Sequence, residues 1–361
     1  MLGISATSKH AAQAWNFIAW TLSDTAQVDV AALAGVSVGT ASKALNGRGQ
    51  LREQTRERVR LAAEQLGFEP NSVARSLLAG RTYTVGLITT DHYGRFSIPI
   101  MRGAEDVLGA GEMAAFMCES REDPIREQHY VRTLLSRRVD GIIVAGRRTD
   151  ARPPLAEHLQ IPVVYAFAPS ADDADCSVVS DEMAGARAAV EHLLGTGRRR
   201  IAHVTGPNGH HSAAVRAESF EATLADHGVA LAGGRVWFGA WSEIWGRQAA
   251  QALLAADPDV DAVFCGSDQI ARGVADGLRE GGARLPEDVA LVGVDNWEAL
   301  AENCRPPLTT VDLNLELVGR TAGELLLRAI DGHATGGTHV IQPRLVVRES
   351  SAPARRTIVE R

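Results

Sequence analysis

The chain lacks features that would tie it to a membrane, an export pathway or a metal. No apolar run approaches the roughly 18 residues that a membrane-spanning helix needs. The first residues lack the basic start, long apolar centre and cleavage site of a secretory signal. The four cysteines show no CxxC spacing and are far apart, at Cys118, Cys176, Cys265 and Cys304. We therefore expect reduced thiols, no metal site, no membrane contact and a cytoplasmic location.

Signatures of catalysis are also scarce. The sequence has no paired catalytic carboxylates, phosphate-binding loop or metal cluster. The run from Gly35 to Gly39 matches G-x-S-x-G, the nucleophile elbow of hydrolases. That elbow needs a β-strand before its serine, whereas a helix is predicted here. We therefore predict no catalytic residues, no cofactor and no enzymatic activity.

Length and charge indicate more than one domain. At 361 residues, two or three domains are expected, and a hydrophobic content of 45% is enough for sizeable cores. The net charge of -7 is unevenly distributed. Residues 28–81 contain eight Lys or Arg and five Asp or Glu, a net +3 that leaves -10 for the rest. A basic segment on an acidic body favours contact with phosphates through that segment alone.

Residues 1–27 form an atypical extension. Its large apolar residues indicate a partly amphipathic helix, at Trp15, Phe17, Ile18, Trp20 and Leu22. The residue patterns at 4–10, 14–20 and 23–27 resemble a stretch of the extracellular sugar-binding proteins of ABC transporters. A misassigned start, a gene fusion and a functional segment are alternatives that the sequence leaves open.

A series of helix signals runs from Asp29 to Leu78. Helices are predicted at 28–34, 38–45 and 54–66. Gly35 permits the positive φ of the turn between the first two, and the Ser37 hydroxyl can cap the second. Short outward side chains near the start of the second helix suit contacts with phosphates and base edges. This is how a small helical domain presents one helix to a DNA major groove.

A further short helix is predicted from Asn71 to Ala79, between Pro70 and Gly80. It is too short to be stable alone, so we expect it to order only against a partner chain and DNA. Leu77 would then enter the minor groove as an apolar wedge.

From residue 84 onward, short apolar strands alternate with helices in two similar series. This alternation predicts parallel sheets with helices on both faces. The predicted fold class is α/β, with an N-terminal all-α helix-turn-helix domain followed by a two-lobed domain like that of periplasmic binding proteins. Ligands bind such folds at the carboxyl ends of the strands.

The motifs D-V-A at 29–31, A-G-V-S at 34–37 and T-A-S-K-A-L-N at 40–46 resemble the head of the LacI/GalR family of transcriptional regulators. The resemblance continues to about Ser351. It implies base reading by Val38 and Gly39, although a glycine offers no side chain for readout. Ala41 departs from the family's valine, and Ala26 from the usual threonine cap. The implied DNA contacts are Ser37, Val38, Gly39, Thr40, Ser42, Lys43, Asn46, Asn71, Ala74 and Leu77.

The resemblance also implies a set of effector contacts. Arg216 follows Gly206-Pro207 and would grip ligand oxygens, and Asp295 ends a V-G-V-D run and would accept from hydroxyls. An indole stacks well on a sugar face. Gly94-Arg95 replace the family's Asn-Pro before the phenylalanine. The implied effector contacts are Phe96, Arg216, Trp241, Ser267 and Asp295; Phe167 would make the pocket more apolar, and His210-His211 are interpreted as loop residues rather than metal ligands.

These observations predict a sequence-specific DNA-binding regulator. We expect a dimeric repressor of carbohydrate uptake or metabolism genes that binds a palindromic double-stranded operator and responds to a sugar-like effector. The alternative is a sugar-binding protein or sensor without specific DNA binding. The absence of terminal leucine heptads argues against a coiled-coil tetramer.

The predicted boundaries follow the same motifs. They are an extension at 1–27, a helix-turn-helix domain at 28–70, a hinge and linker at 71–83, an effector and dimerisation domain at 84–351 and a tail at 352–361. Within the effector domain, the first lobe is predicted at 84–167 plus 313–340 and the second at 168–312 plus 341–351.

Overall fold

The structure is a computed structural model that describes residues 25–45, 49–68, 81–92, 94–111, 113–155 and 159–351. The chain separates into two compact units, Met1–Tyr83 and Thr84–Arg361. Four predicted DNA contacts lie outside the described residues, namely Asn46, Asn71, Ala74 and Leu77. The hinge helix, the tail and residues 1–24 of the extension lie outside them as well.

The first unit contains three helices, α1 (Thr25–Leu33), α2 (Val38–Leu45) and α3 (Glu53–Gln65). Gly35 adopts a φ of +63° in the turn before α2, and the Ser37 Oγ accepts a hydrogen bond from the Thr40 backbone N at 3.1 Å. These contacts confirm the predicted helix-turn-helix. The small core lets the three helices approach closely and consists of Val30, Ala31, Ala34, Ala41, Val59, Ala62 and Ala63.

The helix bounds differ little from the prediction. α2 has the predicted bounds, and α3 begins and ends one residue early. α1 begins at Thr25 rather than at the predicted Val28 and ends at Leu33. No Gly or Pro occurs at positions 25–27 to stop the helix, so its first turn extends into that segment.

No single helix in the described part of the chain is long and apolar enough to cross a membrane, although the stretches Gln27–Leu33 and Val38–Leu45, bent by 102°, meet the length and composition criteria as a pair. In the same residues, no group of three or more His, Cys, Asp or Glu side chains is arranged to hold a metal ion. The four cysteines are free thiols, and three of them are buried.

The second unit begins with a six-stranded, fully parallel sheet. In space its strands follow the order β11-β5-β4-β3-β1-β2, where β1 is Thr84–Thr89, β2 Ala114–Glu119, β3 Gly141–Ala145, β4 Val163–Ala166, β5 Cys176–Ser180 and β11 Gly337–Ile341. Helices α4 (Ser97–Ala110), α5 (Pro124–Ser136) and α11 (Leu315–Ile330) pack against it. We call this sheet and its helices the first lobe. Its central strands are apolar because helices cover both faces.

The second lobe is built around another six-stranded sheet, in the order β12-β10-β9-β8-β6-β7, in which only β12 is antiparallel to its neighbour. Its strands are β6 (Ile201–Thr205), β7 (Trp237–Phe238), β8 (Ala262–Cys265), β9 (Ala290–Val294), β10 (Thr309–Asp312) and β12 (Arg344–Val346). Its helices are α6 (Glu182–Gly195), α7 (His211–Asp226), α8 (Glu243–Ala256), α9 (Asp268–Glu280) and the short α10 (Glu298–Ala301), with a 3-10 turn at Ala232–Gly234. The predicted two-lobed α/β fold is confirmed.

The boundary between the lobes differs from the prediction. β5 pairs with β4 and β11, so the first sheet continues to Ser180, and the predicted start of the second lobe near residue 168 is wrong. The strand follows an acidic loop and contains two serines among five residues, so its sequence does not read as a buried strand. In the structure the Ser177 Oγ accepts from the Ser170 backbone N at 3.0 Å, which satisfies that hydroxyl inside the lobe.

Each lobe contains one pair of helices whose backbones meet at facing glycines. In the first lobe, a Cβ added at Gly103 would lie 1.9 Å from the Glu316 carbonyl O, and one added at Gly319 would lie 1.9 Å from the Ile100 carbonyl O. In the second lobe, Gly246 and Gly273 bring α8 and α9 together in the same way. These contacts hold the helices that cover each sheet at a distance that only glycine permits.

Gly319→Ala should destabilise the first lobe, because the new methyl group overlaps the α4 backbone. We expect a loss of about 1–3 kcal/mol in the free energy of unfolding, measured by urea denaturation. The matched control is Gly109→Ala in α4, where an added Cβ meets no atom within 4 Å. The control should be neutral or stabilising by up to about 1 kcal/mol. Equal losses in the two variants would contradict the close-approach explanation.

Candidate functional site

The outer face of α2 is the candidate DNA-contacting surface. Ala41 faces inward and is fully buried, whereas Val38 is 45% exposed and Lys43 is exposed. The Ser37 and Thr40 hydroxyls lie 2.9 Å apart at the start of the helix. Short polar groups and free backbone N–H groups therefore gather at the N-terminus of α2, where phosphate oxygens bind well.

Packing does not require a glycine at position 39. A Cβ placed there would meet only the Ser37 Oγ, at 3.9 Å, and Gly39 shows no positive φ. Any small side chain would fit at this exposed position. Gly39 therefore affects the surface that α2 presents to a binding partner and not the folding of the three-helix unit.

The candidate ligand site is a cavity of about 490 Å³ between the two lobes of the second unit. Its lining comes from segments that follow β1, β3, β4 and β5 of the first sheet and β6, β7, β8 and β9 of the second. Because parallel strands end at one edge of each sheet, these segments face each other across the cavity. The size is in the usual range for a small-molecule site. All five predicted effector contacts line it, namely Phe96, Arg216, Trp241, Ser267 and Asp295.

Arg216 is already engaged within the protein. Its Nε donates to the Glu182 Oε2 at 2.5 Å, and its Nη1 donates to the Gly266 carbonyl O. Both side chains of the ion pair are only 5% exposed. The other carboxylate oxygen, Glu182 Oε1, has no hydrogen-bond partner among the described residues. The pair therefore presents to the cavity a buried acceptor that a ligand hydroxyl can satisfy.

Aromatic rings line both sides of the cavity. On the first lobe, Phe96 and Phe167 stack with ring centroids 5.1 Å apart. On the second lobe, the Trp241 indole lies against Gly206, where an added Cβ would be 2.1 Å from the ring. The Trp241 Nε1 donates to the His210 Nδ1 at 2.8 Å. This bond gives His210, in the loop before α7, a partner beside the cavity.

Asp295 occupies a turn that its surroundings hold in place. Asp295 has a φ of +109°, a strained value for a residue other than glycine, and Asn296 has a φ of +50°. The Asn296 Oδ1 accepts from the Arg348 Nη2 at 2.9 Å, and the Trp297 backbone N donates to the Asp268 Oδ2 at 2.7 Å. The Asp295 carboxylate pairs with the Arg95 guanidinium, so both of the predicted ligand-binding charges have protein partners.

Asp268 stabilises this turn by accepting the hydrogen bond from the Trp297 backbone N. It is fully buried at the start of α9, and its Oδ1 accepts from the Thr310 Oγ1 at 2.6 Å. Burial raises the pKa of Asp268 to about 7, while the hydrogen bonds from Thr310 and Trp297 act in the opposite direction. Ser267, just before it, accepts from the Ile270 backbone N at 3.2 Å and caps α9. The Ser267 hydroxyl thus has a structural partner as well as a place in the cavity lining.

Several lining residues are absent from the predicted set. They follow strand ends, as the predicted ones do, and are Asp91, Arg95, Arg147, Arg148, Thr149, Glu182, His210, Ser212, Gln269 and Trp297. The rule that ligand loops follow parallel strands would have found Arg147 to Thr149, directly after β3, and Trp297, two residues after Asp295. Nothing in the local sequence connects Glu182 with Arg216, because the pair forms only in the folded lobe.

Replacement of Asp268 by asparagine should change the pH dependence of stability. Because the folded pKa lies near 7 and the unfolded pKa near 4, the native state binds more protons between these values, and stability falls as pH rises through this window. Asp268→Asn removes this titration. From pH 5 to pH 8 the wild-type chain should therefore lose about 2–3 kcal/mol more than the variant, as measured by urea unfolding. The same pH dependence in both proteins would contradict this assignment.

Comparison with known proteins agrees with both parts of the structure. The family described as "Bacterial regulatory proteins, lacI family" matches residues 28–71, and a "Periplasmic binding protein-like domain" matches residues 190–351. The HTH-type transcriptional regulator CelR of Thermobifida fusca is 35% identical over 331 residues, which cover 89% of this chain and 96% of that regulator.

Two solved structures show the same architecture. The transcriptional regulator CelR–cellobiose complex has a TM-score of 0.65 at 32% identity and covers 90% of this chain and 99% of that one. The lac repressor dimer bound to operator and the anti-inducer ONPF has a TM-score of 0.70 at 25% identity, with 90% of this chain and 98% of that one covered. With 35% identity across nearly the whole of a known regulator, the chain belongs to the lacI family of bacterial regulatory proteins, which are DNA-binding regulators of transcription.

Proposed function

We propose that this regulator is a homodimeric repressor whose affinity for a palindromic operator changes when a carbohydrate binds in the interlobe cleft. The observation that carries the proposal is the cleft itself, an aromatic-lined cavity of sugar size in a chain with a DNA-binding head. The CelR–cellobiose complex supports a β-linked glucose disaccharide as the first probe to use. As a DNA-binding regulator without a catalytic constellation in its sequence, the chain is proposed to be cytoplasmic and not an enzyme.

The proposed DNA contacts centre on the start of α2. Val38 and Gly39 would face base edges, and the Ser37, Thr40 and Ser42 hydroxyls with Lys43 would contact phosphates or flanking positions. The exposure of Val38 and Lys43 is consistent with this role. Asn46, Asn71, Ala74 and Leu77 belong to the proposal through the family resemblance alone. Because Gly39 carries no side chain, we expect readout at that base pair to be weak.

The proposed sugar site uses stacking more than charge. Trp241 on one lobe and Phe96 with Phe167 on the other offer flat apolar faces for the C–H faces of a pyranose ring. Glu182 Oε1 and Thr149 Oγ1 are buried lining atoms without a partner among the described residues, and both can accept from sugar hydroxyls. A ligand held by both lobes would alter how they pack. That is a route for coupling the cleft to the head.

The proposed dimer uses the surface of the first lobe. β2 is an edge strand that pairs only with β1, and Phe116 and Met117 on it are 43% and 54% exposed. Ile98 on α4 is also exposed, at 48%. Exposed apolar side chains on an edge strand favour association with another chain, and a second copy of this chain would bury them. The lac repressor is a dimer in its operator-bound structure.

The direct test is a fluorescence-anisotropy titration of the full chain on DNA that flanks its own gene, with and without cellobiose and a panel of other sugars. The proposal predicts tight, salt-dependent, sequence-specific binding whose Kd changes about 5- to 150-fold with one sugar. Specific binding that no sugar changes would contradict the effector assignment. Sugar binding without specific DNA binding would instead favour a sensor.

Lys43→Ala should weaken DNA binding uniformly across sequences, because it removes a phosphate contact. In a plot of log Kd against log salt concentration, the slope should fall by about 1. The control is Arg60→Ala, since Arg60 is an exposed cation on α3 that is paired with Glu57 and Glu64. An equal fall in slope for the control would show that only net charge matters.

Trp241→Leu should weaken sugar binding at least tenfold, because the stacking face and its hydrogen bond to His210 are lost. Binding is measured by isothermal titration calorimetry with the sugar that shifts operator binding. Trp245→Leu is the control, since this nearby indole packs on Gly239 and donates to the Thr205 carbonyl O outside the cavity lining. Comparable losses in both variants would argue against a stacking role for Trp241.

A further inference from the structure

Arg95 spans the cleft from one lobe to the other. It lies in the loop before α4, in the first lobe, and its guanidinium pairs with the Asp295 carboxylate of the second lobe. Its Cζ lies 4.9 Å from the ring centroid of Phe96 and 5.0 Å from that of Trp297. The two rings belong to opposite lobes. The side chain is therefore held between two aromatic faces and bonded to a carboxylate across the cavity.

The described residues on either side of Arg95 have defined turn geometry and hydrogen bonds. Gly94 turns the chain with a φ of +73°, and Asp91 Oδ2 accepts from the backbone N of Phe96 at 2.7 Å and of Ser97 at 3.0 Å. Asp91 itself is 5% exposed. The Asp91 Oδ2 therefore caps the start of α4. These hydrogen bonds fix the start of α4, and Arg95, the residue before Phe96, lies in the cavity lining.

The pair is desolvated on both sides. The exposed fraction of the Arg95 side chain is 13% and that of Asp295 is 6%. Burial lowers the pKa of the Arg95 guanidinium to about 10, so it stays protonated at neutral pH. When one partner of a buried ion pair is removed, the other charge is left without compensation, which strongly disfavours the broken state. A ligand group that seeks the Asp295 Oδ2 must therefore displace Arg95.

The interlobe cavity of about 490 Å³ lies beside the Arg95–Asp295 pair and is open although the pair is intact. Arg95 Nε is buried in the lining and has no hydrogen-bond partner among the described residues. A ligand in this cavity thus meets a guanidinium donor where the family resemblance implies an acceptor carboxylate. The replacement of the family's Asn-Pro by Gly94-Arg95 makes this feature a property of this sequence.

We propose that Arg95 is the specificity-determining residue of the cleft: it withholds the Asp295 carboxylate from the effector and presents its own Nε–H as a donor to a ligand oxygen. The same pair ties the two lobes together in the absence of a ligand. This proposal rests on the proposed function only in taking the cleft as the effector site.

The tie between the lobes is tested without any ligand, by a double-mutant cycle on the full chain. Arg95→Met and Asp295→Asn should each lower the Tm by roughly 5 °C or more, and the double variant should lower it no further than the worse single variant. Arg102→Met on α4 is the control, because Arg102 pairs with Glu316 while both side chains are more than half exposed. It should shift the Tm by no more than about 2 °C. Additive losses at positions 95 and 295 would overturn the proposal.

The specificity role is tested by calorimetric titration with cellobiose, a neutral probe rich in hydroxyl donors. With Arg95 present, Asp295→Asn removes an acceptor that Arg95 already occupies, so it should change the Kd less than it does in the Arg95→Ala background. In the Arg95→Ala background the freed carboxylate can accept from the sugar, so Asp295→Asn should then weaken binding at least tenfold. Arg95→Gln serves in the same comparison if the alanine variant does not fold.

The outcomes separate the two proposals. A tenfold loss from Asp295→Asn in both backgrounds would show that Asp295 contacts the effector directly and would overturn the role of Arg95. If cellobiose and the other sugars bind no variant, the carbohydrate assignment fails, and the Tm cycle alone decides whether Arg95 holds Asp295. Non-additive Tm losses together with background-dependent Asp295 effects are the expected result.

Discussion

Parallel strand pairing is the constraint on which the sensor half of this regulator depends. Because consecutive parallel strands need a crossover, every loop that follows a strand emerges at the same edge of its sheet. In both lobes that edge faces the cleft, and the segments after eight strands supply its lining. The central strands can then be largely apolar, while the segments after them carry arginines, carboxylates and indoles. Facing glycines on α4 and α11 and on α8 and α9 keep the covering helices tight against this frame.

Within the cleft, two largely buried arginines form ion pairs with two largely buried carboxylates. Arg216 is paired with Glu182 and Arg95 with Asp295, whereas the buried Asp268, whose pKa burial raises to about 7, accepts hydrogen bonds from Thr310 and the backbone N of Trp297. Buried charges are tolerable only when they are paired, so these bonds shape the cleft before they can recognise anything. What is left for a ligand is a set of aromatic faces and a few unpartnered polar atoms. Such a surface suits a neutral, hydroxyl-rich molecule better than a strongly charged one.

The head illustrates what local sequence can predict. Its helices depend on nearby signals such as Gly35, Ser37 and the alternation of small apolar residues, and their predicted bounds differ from the structure by at most three residues. The five predicted effector contacts all line the cleft because each follows a strand or a family motif. The strand at Cys176–Ser180 was missed because its burial comes from neighbours far along the chain. The pairing of Arg95 with Asp295 joins residues 200 positions apart, and no local pattern contains it.

Sugar binding in the cleft and operator binding by the head are proposed to be thermodynamically coupled, and such coupling must be reciprocal. The most direct test is to measure the Kd of the effective sugar for the free chain and for the chain saturated with operator DNA. We expect the operator to change the sugar Kd by the same factor, about 5 to 150, by which the sugar changes the operator Kd. A sugar Kd that is identical with and without operator would contradict it.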